Sequence, residues 1–329
     1  MKMRRSIQSF LILSLTFLGN FAFSTTKKTV CSITINSSNE VDQFKKHFSS
    51  KDWNFVELVP KTDETQTNNS NQANDKHWLE DSCRPDIQCD ILVISGHFSG
   101  SFFGKISRDL SLNSIESLSC SDHCSGIFQR PKEVFLFGCN TLASKEKDHR
   151  SPQEYLNVLI DEHNFTREQA SQMAAFRYSE WGQSFRGRMA GAFAQSPRIY
   201  GFSSVAPSGP NIEPAIQHYL KITKGEYSDF SAYNTRLKTQ TNMKLMSSLK
   251  NFSITQVAGS QALQKTPQPA PYCQLWDKKR SRLERIKYMQ LLLDSDQAIS
   301  NNLFQMCEQA KSLHQKRTLS FYRLVAIKH

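Results

Sequence analysis

Two stretches of this chain end in groups that could do covalent chemistry. Cys89-Asp90-Ile91-Leu92-Val93-Ile94-Ser95-Gly96-His97 closes on an imidazole, and Glu133-Val134-Phe135-Leu136-Phe137-Gly138-Cys139 closes on a thiol. A Cys attacks a carbonyl as the thiolate. A nearby imidazole assists its deprotonation and later protonates the leaving amine. Backbone N–H groups at the strand-to-loop turns can hold the developing oxyanion, which nominates Cys139 and the residues just after Gly96, with Gly96, Phe98 and Gly138 shaping the turns. Taken singly, a Cys at the end of an apolar strand reads as a small core residue or half a disulfide, and a single His as a hydrogen-bonded surface or core residue. Their matching placement favours a nucleophile and base, so the ingredients suffice for acyl transfer.

Both runs are short, apolar throughout and bounded by Gly, as in the interior strands of a parallel sheet, where helices cover both faces and alternation is lost. Reactive groups of open α/β sheets gather at the carboxyl ends of such strands. If the two are neighbours, His97 and Cys139 meet there. Upstream, the β-branched run Thr29 to Ile35, a capped helix over Glu40 to Phe48 and a strand over Trp53 to Val59 predict a right-handed parallel crossover. Residues 61–77, rich in Thr, Asn, Gln and Asp, read as an exposed loop. Phe98 to Ile106 suggests a tight turn or small hairpin over the strand ends, and Leu110, Leu112, Ile115 and Leu118 one helix face. Helices are expected over Pro152 to Glu162 and Arg167 to Ala194, and a last strand over Arg198 to Ala206. This alternation argues for an α/β sandwich. From about Ile212 the sequence turns helical.

The chain divides into a signal peptide at 1–24, an α/β domain at 25–215, a helical extension at 216–264, a Pro-rich hinge at 265–271 and a C-terminal helical pair at 272–329. Residues 1–24 carry a basic start, the apolar run Phe10 to Leu18 and small residues at Ala22 and Ser24, a secretory signal too short to be a membrane span. An exported protein, periplasmic or secreted, with no stable span after signal removal, follows. Losing Lys2, Arg4 and Arg5 and no acid lowers the formal charge from +11 to +8. The positive charges are scattered and not interleaved with aromatics, so the pattern speaks against nucleic acid as a partner and for a surface property.

Eight Cys in an oxidising compartment should mostly pair. If Cys139 stays a thiol, seven remain, so one more is left over. Local pairing favours Cys120 with Cys124, or Cys83 with Cys89, and Cys273 with Cys307 could staple the hinge to the second helix of the C-terminal pair. Cys120, His123 and Cys124 form a competing cluster that could bind zinc, but the spacing is irregular and lacks a second close pair. No metal or cofactor is assigned.

At the two strand ends the chain resembles the caspase-like cysteine peptidases, the clan of caspases, legumains, gingipains, clostripain, separases and CHAT domains. Members place a His at the end of one hydrophobic strand and a Cys at the end of the next, His first. Ile91 to His97 matches the His strand, and Val134 to Thr141 the Cys strand, with the Cys-x-Thr of CHAT-like members at Cys139 and Thr141. Their separation of 42 residues fits. The resemblance covers roughly residues 29–210. It implies a caspase-like three-layer αβα sandwich with a mostly parallel sheet, followed by a helical C-terminal region. It also implies a cysteine endopeptidase acting on a protein or peptide, with Cys139 as nucleophile, His97 as acid and base, and a substrate strand beside the sheet edge at Ser203, Ser204, Val205 and Ala206. The family has Gly after the His where this chain has Phe98, and Phe resists the positive φ that Gly permits. Clan members cut after Asp, Asn, Arg or Lys, and the sequence assigns no charged residue to the pocket that chooses. The alternative from a different class is an inactive periplasmic binding protein that keeps the fold and uses its helical tail for a partner.

Overall fold

Runs of β-branched and aromatic residues too short to alternate become strands buried on both faces. Longer segments with apolar residues three or four apart become the helices that cover them. The computed structural model describes residues 27–48, 52–58, 78–105, 109–144, 151–161, 165–168, 170–171, 174, 185–264, 272–277 and 279–295. In chain order the elements are β1 (Lys28–Thr34), α1 (Asn39–Phe48), β2 (Trp53–Glu57), β3 (Ile91–Ser95), β4 (His97–Phe98), β5 (Ser101–Phe103), β6 (Leu110–Ser111), α2 (Leu112–Ser119), α3 (Ser125–Phe128) and β7 (Glu133–Phe137). They continue as α4 (Pro152–Asp161), α5 (Phe185–Ala192), β8 (Arg198–Phe202), α6 (Gly209–Ser228), α7 (Phe230–Leu237), α8 (Met243–Ser248), β9 (Ile254–Val257), α9 (Cys273–Trp276) and α10 (Arg282–Ser295). The signal peptide, the 61–77 loop, the 265–271 hinge, most of the 167–184 stretch and everything after 295 lie outside the described residues.

The main sheet has six strands in the order β2-β1-β3-β7-β8-β9, parallel from β2 through β8, with β9 antiparallel to β8. All five residues of β3, of β7 and of β8 are buried, as strands covered on both sides must be. Their side chains alternate between two cores. Leu92, Ile94, Val134, Leu136 and Ile199 pack with Leu112, Ile115 and Leu118 of α2 and Phe185 and Met189 of α5. Ile91, Val93, Phe135, Phe137 and Tyr200 pack on the other face with Phe44 and Phe48 of α1, Leu159 of α4 and Ile212, Ile216 and Tyr219 of α6. Helices thus flank both faces of a mostly parallel sheet, an arrangement compatible with a three-layer sandwich. α6 begins at Gly209, three residues ahead of the expected onset, because Pro210 sits in its first turn, where no donor is needed.

Two expectations are corrected. Residues 216–264 are not purely helical: Ile254-Thr-Gln-Val257 is β9, which completes the sheet beyond residue 215. The expected disulfides are replaced by Cys31–Cys89, Cys83–Cys124 and Cys120–Cys273. Neither the Cys120–Cys124 nor the Cys83–Cys89 pairing forms, and Cys273 joins α2 rather than Cys307, which lies outside the described residues. The first bond ties Cys31 of β1 to Cys89, two residues ahead of the neighbouring β3, with the Cα atoms 5.6 Å apart. With Cys120 and Cys124 both oxidised, the trio with His123 offers no thiolate pair to zinc. Three disulfides, and no helix among the described residues long and apolar enough to cross a membrane, fit an extracellular or periplasmic protein.

Candidate active site

β3 and β7 are adjacent and parallel, with Ser95 opposite Phe137, so the residues that follow them leave the sheet at the same level. The Gly96 N–H donates to the Phe137 carbonyl at 3.0 Å, carrying the pairing one residue past the strands. His97 and Cys139, the two residues singled out by the sequence, therefore stand at the carboxyl ends of neighbouring strands and line one cavity of about 490 Å³. Cys139 is buried, with 4% of its surface exposed, and stays a thiol while Cys31, Cys83, Cys89, Cys120, Cys124 and Cys273 are all in disulfides.

Each partner is held by its own local structure. His97 opens the β4–β5 hairpin and lies opposite Phe103, so the hairpin anticipated over the strand ends is what carries the imidazole. Its ring packs against Phe103 and Phe165, with centroids at 5.5 and 5.6 Å. Nε2 lies 3.1 Å from the carboxamide nitrogen of Asn36, which stands just beyond β1. Asn36 was not among the residues marked by sequence. Its signal was there, since Asn36-Ser37-Ser38 is a polar cluster at the end of a strand that neighbours the His strand. Gly104 lets the hairpin close on Asn36, because a Cβ there would lie 2.2 Å from the Asn36 Cβ.

On the thiol side, Asn140 takes the left-handed conformation at φ 59°, which Asn tolerates better than most residues. Its N–H donates to the Ser204 carbonyl at 2.7 Å and its side-chain amide to the Tyr155 hydroxyl at 2.6 Å. The Thr141 hydroxyl donates to the Gly138 or Leu136 carbonyl, each at 3.2 Å, and accepts from the Phe202 N–H at 3.1 Å, tying the turn to β8. This gives the Cys-x-Thr spacing a mechanical meaning: the residue two after the Cys clamps the turn that presents it. Gly138 itself is a close-approach residue, since a Cβ there would fall 2.7 Å from the Gly96 carbonyl and 2.9 Å from the Phe98 Cβ.

Of the expected turn residues, Gly96 and Gly138 have their N–H groups committed, to Phe137 and Leu136. Phe98 needs no left-handed backbone: among the described residues only Asn140, Lys238 and Gly100 have positive φ. Phe98 lies in β4, and its ring is buried against Phe102 and Phe185, at 4.7 and 5.0 Å. Along the expected substrate edge, the Ser203 N–H donates to the Ser253 carbonyl at 2.9 Å and the Ser204 carbonyl accepts from Asn140, so both are engaged within the protein. Val205 is buried, and Ala206 lines the cavity.

The rest of the cavity comes from two helix starts, Asn39 and Glu40 of α1 and Gly209, Pro210 and Ile212 of α6, with Ser37, Ser95 and Lys105. Charged residues do line it, although the sequence assigned none. Burial pushes the Glu40 carboxyl above its usual range and Glu213 adds to the rise, against donation from its own backbone N–H and the Ser37 and Ser95 hydroxyls. Among the described residues no group of three or more His, Cys, Asp and Glu side chains is arranged to hold a metal ion. Compared with protein-family models, curated proteins and solved structures, the chain matches none.

Proposed function

We propose that this chain is an exported cysteine endopeptidase of the caspase-like kind, with Cys139 as nucleophile and His97 as acid and base. The observation that carries the reading is the thiol of Cys139, kept out of the disulfides, lining one cavity with the imidazole of His97, each two residues past the end of one of two neighbouring parallel strands. The Asn36 side-chain amide N–H donates to Nε2 and so fixes the orientation of the ring.

In the first half-reaction the thiol proton passes to His97 as sulfur attacks the peptide carbonyl. The C–N bond then breaks, the imidazolium gives its proton to the leaving amine, and a thioester remains on Cys139. Water, deprotonated by His97, attacks the thioester; the C–S bond breaks and the acid and thiol are released. The oxyanion is assigned to the backbone N–H groups of Cys139 and of Phe98, just after Gly96 and His97. Digestion of a peptide mixture, followed by mass spectrometry, tests the reading. New termini are expected from the natural protein, with rates lower by at least about 1000-fold in His97→Ala and in Cys139→Ala. Absence of cleavage, or equal cleavage by both variants, would remove the peptidase reading.

A further inference from the structure

Resting on the peptidase reading, we propose further that the cavity beside Cys139 receives the side chain preceding the cleaved bond, and that Glu40 selects a basic one, arginine or lysine. A carboxylate in the first turn of a helix is ordinarily an exposed partner of the helix dipole. Glu40 departs from that pattern: it is buried, with 4% of its surface exposed, and lines a cavity shared with the nucleophile and the imidazole. Its nearest donor from the sheet is weakly committed. The Ser95 hydroxyl has one proton and lies 2.8 Å from the Ser37 carbonyl but 3.3 Å from Glu40 Oε2, so a carboxylate with about four acceptor sites, also taking its own backbone N–H and the Ser37 hydroxyl, retains a lone pair for a guest.

The charge balance is one-sided. Among the described residues no Lys, Arg or His forms an ion pair with Glu40. The charged group acting on it is Glu213, of the same sign. Glu213 is held close by the side-chain amides of Asn39 and Gln43, at 3.0 and 2.7 Å. A buried carboxylate with a like charge acting on it and no ion-pair partner among the described residues is costly until a cation arrives, and a cationic side chain with hydrogen-bond donors is the guest that removes the cost. Lys105 also lines the cavity but is exposed. The volume of about 490 Å³ falls within the range of sites that enclose small ligands.

The test uses the full mature protein and peptides identical except for Arg, Lys, Asp, Asn or Leu before the scissile bond. The Arg and Lys peptides are expected to exceed the Leu peptide in kcat/KM by about 30-fold or more. That ratio should collapse in Glu40→Gln and persist in Glu40→Asp, which keeps the charge, with circular dichroism confirming that both variants fold. Equal rates for the five peptides, a ratio unchanged in Glu40→Gln, or a preference for Asp that Lys105→Met abolishes would overturn the assignment. Alkylation of Cys139 by chloroacetamide, which carries no side chain for the pocket, reads the Cys and His pair separately. His97-dependent alkylation without a basic preference defeats the pocket alone, and absence of both defeats the peptidase reading as well.

Discussion

Asn36 is the residue that orients the proposed base. Without its amide, the His97 ring retains its contacts with Phe103 and Phe165 but loses the bond at Nε2 that fixes its orientation. Asn36→Ala is therefore expected to lower kcat/KM by about 10- to 100-fold at unchanged fold, measured on any peptide the natural protein cleaves. Glu40 has the opposite character, held against the interest of stability. Its folded pKa is raised, so burial penalises the ionised form, and the penalty is absent when the group is protonated. Folding stability is then lost as pH rises from the ordinary value of 4.5 through the raised one. Glu40→Gln, which cannot ionise, should match the natural protein in melting temperature near pH 4 and exceed it at pH 8. A lower melting temperature at pH 8 would show that Glu40 stabilises the fold instead.

At the scale of elements, the site is the product of two strands ending at the same level and two turns packed into each other. Gly138 is where they touch, with the Gly96 carbonyl 2.7 Å and the Phe98 Cβ 2.9 Å from any added methyl. Gly138→Ala must push the hairpin away from β7. The expected cost is about 1–3 kcal/mol by denaturant unfolding, together with a fall in activity of about 100-fold. The elements that carry the pair were legible in the sequence because β3 and β7 are apolar, short and Gly-bounded, and because the β4–β5 hairpin has Gly100 at its turn. β9 was not legible: Ile254-Thr-Gln-Val257 is four residues long, partly exposed, and pairs with β8 across more than fifty residues of chain. Asn36 and Glu40 were missed for a related reason. They reach the site from β1 and α1, so their role is set by packing between elements rather than by any spacing along the chain.

Across the whole molecule, the end of the sheet opposite the cavity is closed by a polar knot. Glu133, fully buried, accepts from Arg198 at 3.0 Å and from the hydroxyls of Tyr200, Tyr227 and Tyr233 at 2.7, 2.7 and 3.1 Å. The knot links β7 and β8 to α6 and α7, whose first member supplies one wall of the cavity. Burial and the Glu133 charge push the Tyr200, Tyr227 and Tyr233 hydroxyls above their usual range, so they stay neutral donors. Removing the carboxylate strands Arg198 in the core, and Glu133→Ala should cost about 3–5 kcal/mol by denaturant unfolding. The disulfides were the least legible feature. Each bridges at least 41 positions of sequence, so spacing favoured local pairs that the parallel sheet does not bring together.

The proposed reading is that Cys139 is a thiol activated by His97, which lines the same cavity. Its most direct test is mass spectrometry of the mature protein after brief exposure to a thiol-directed peptide electrophile, with peptide mapping, comparing the natural chain with His97→Ala. Fast modification at Cys139 that falls about 100-fold or more in the variant, with the other six described cysteines found in disulfides, is the expected result. Cys139 found in a disulfide, or modified at the same slow rate in both proteins, would contradict it.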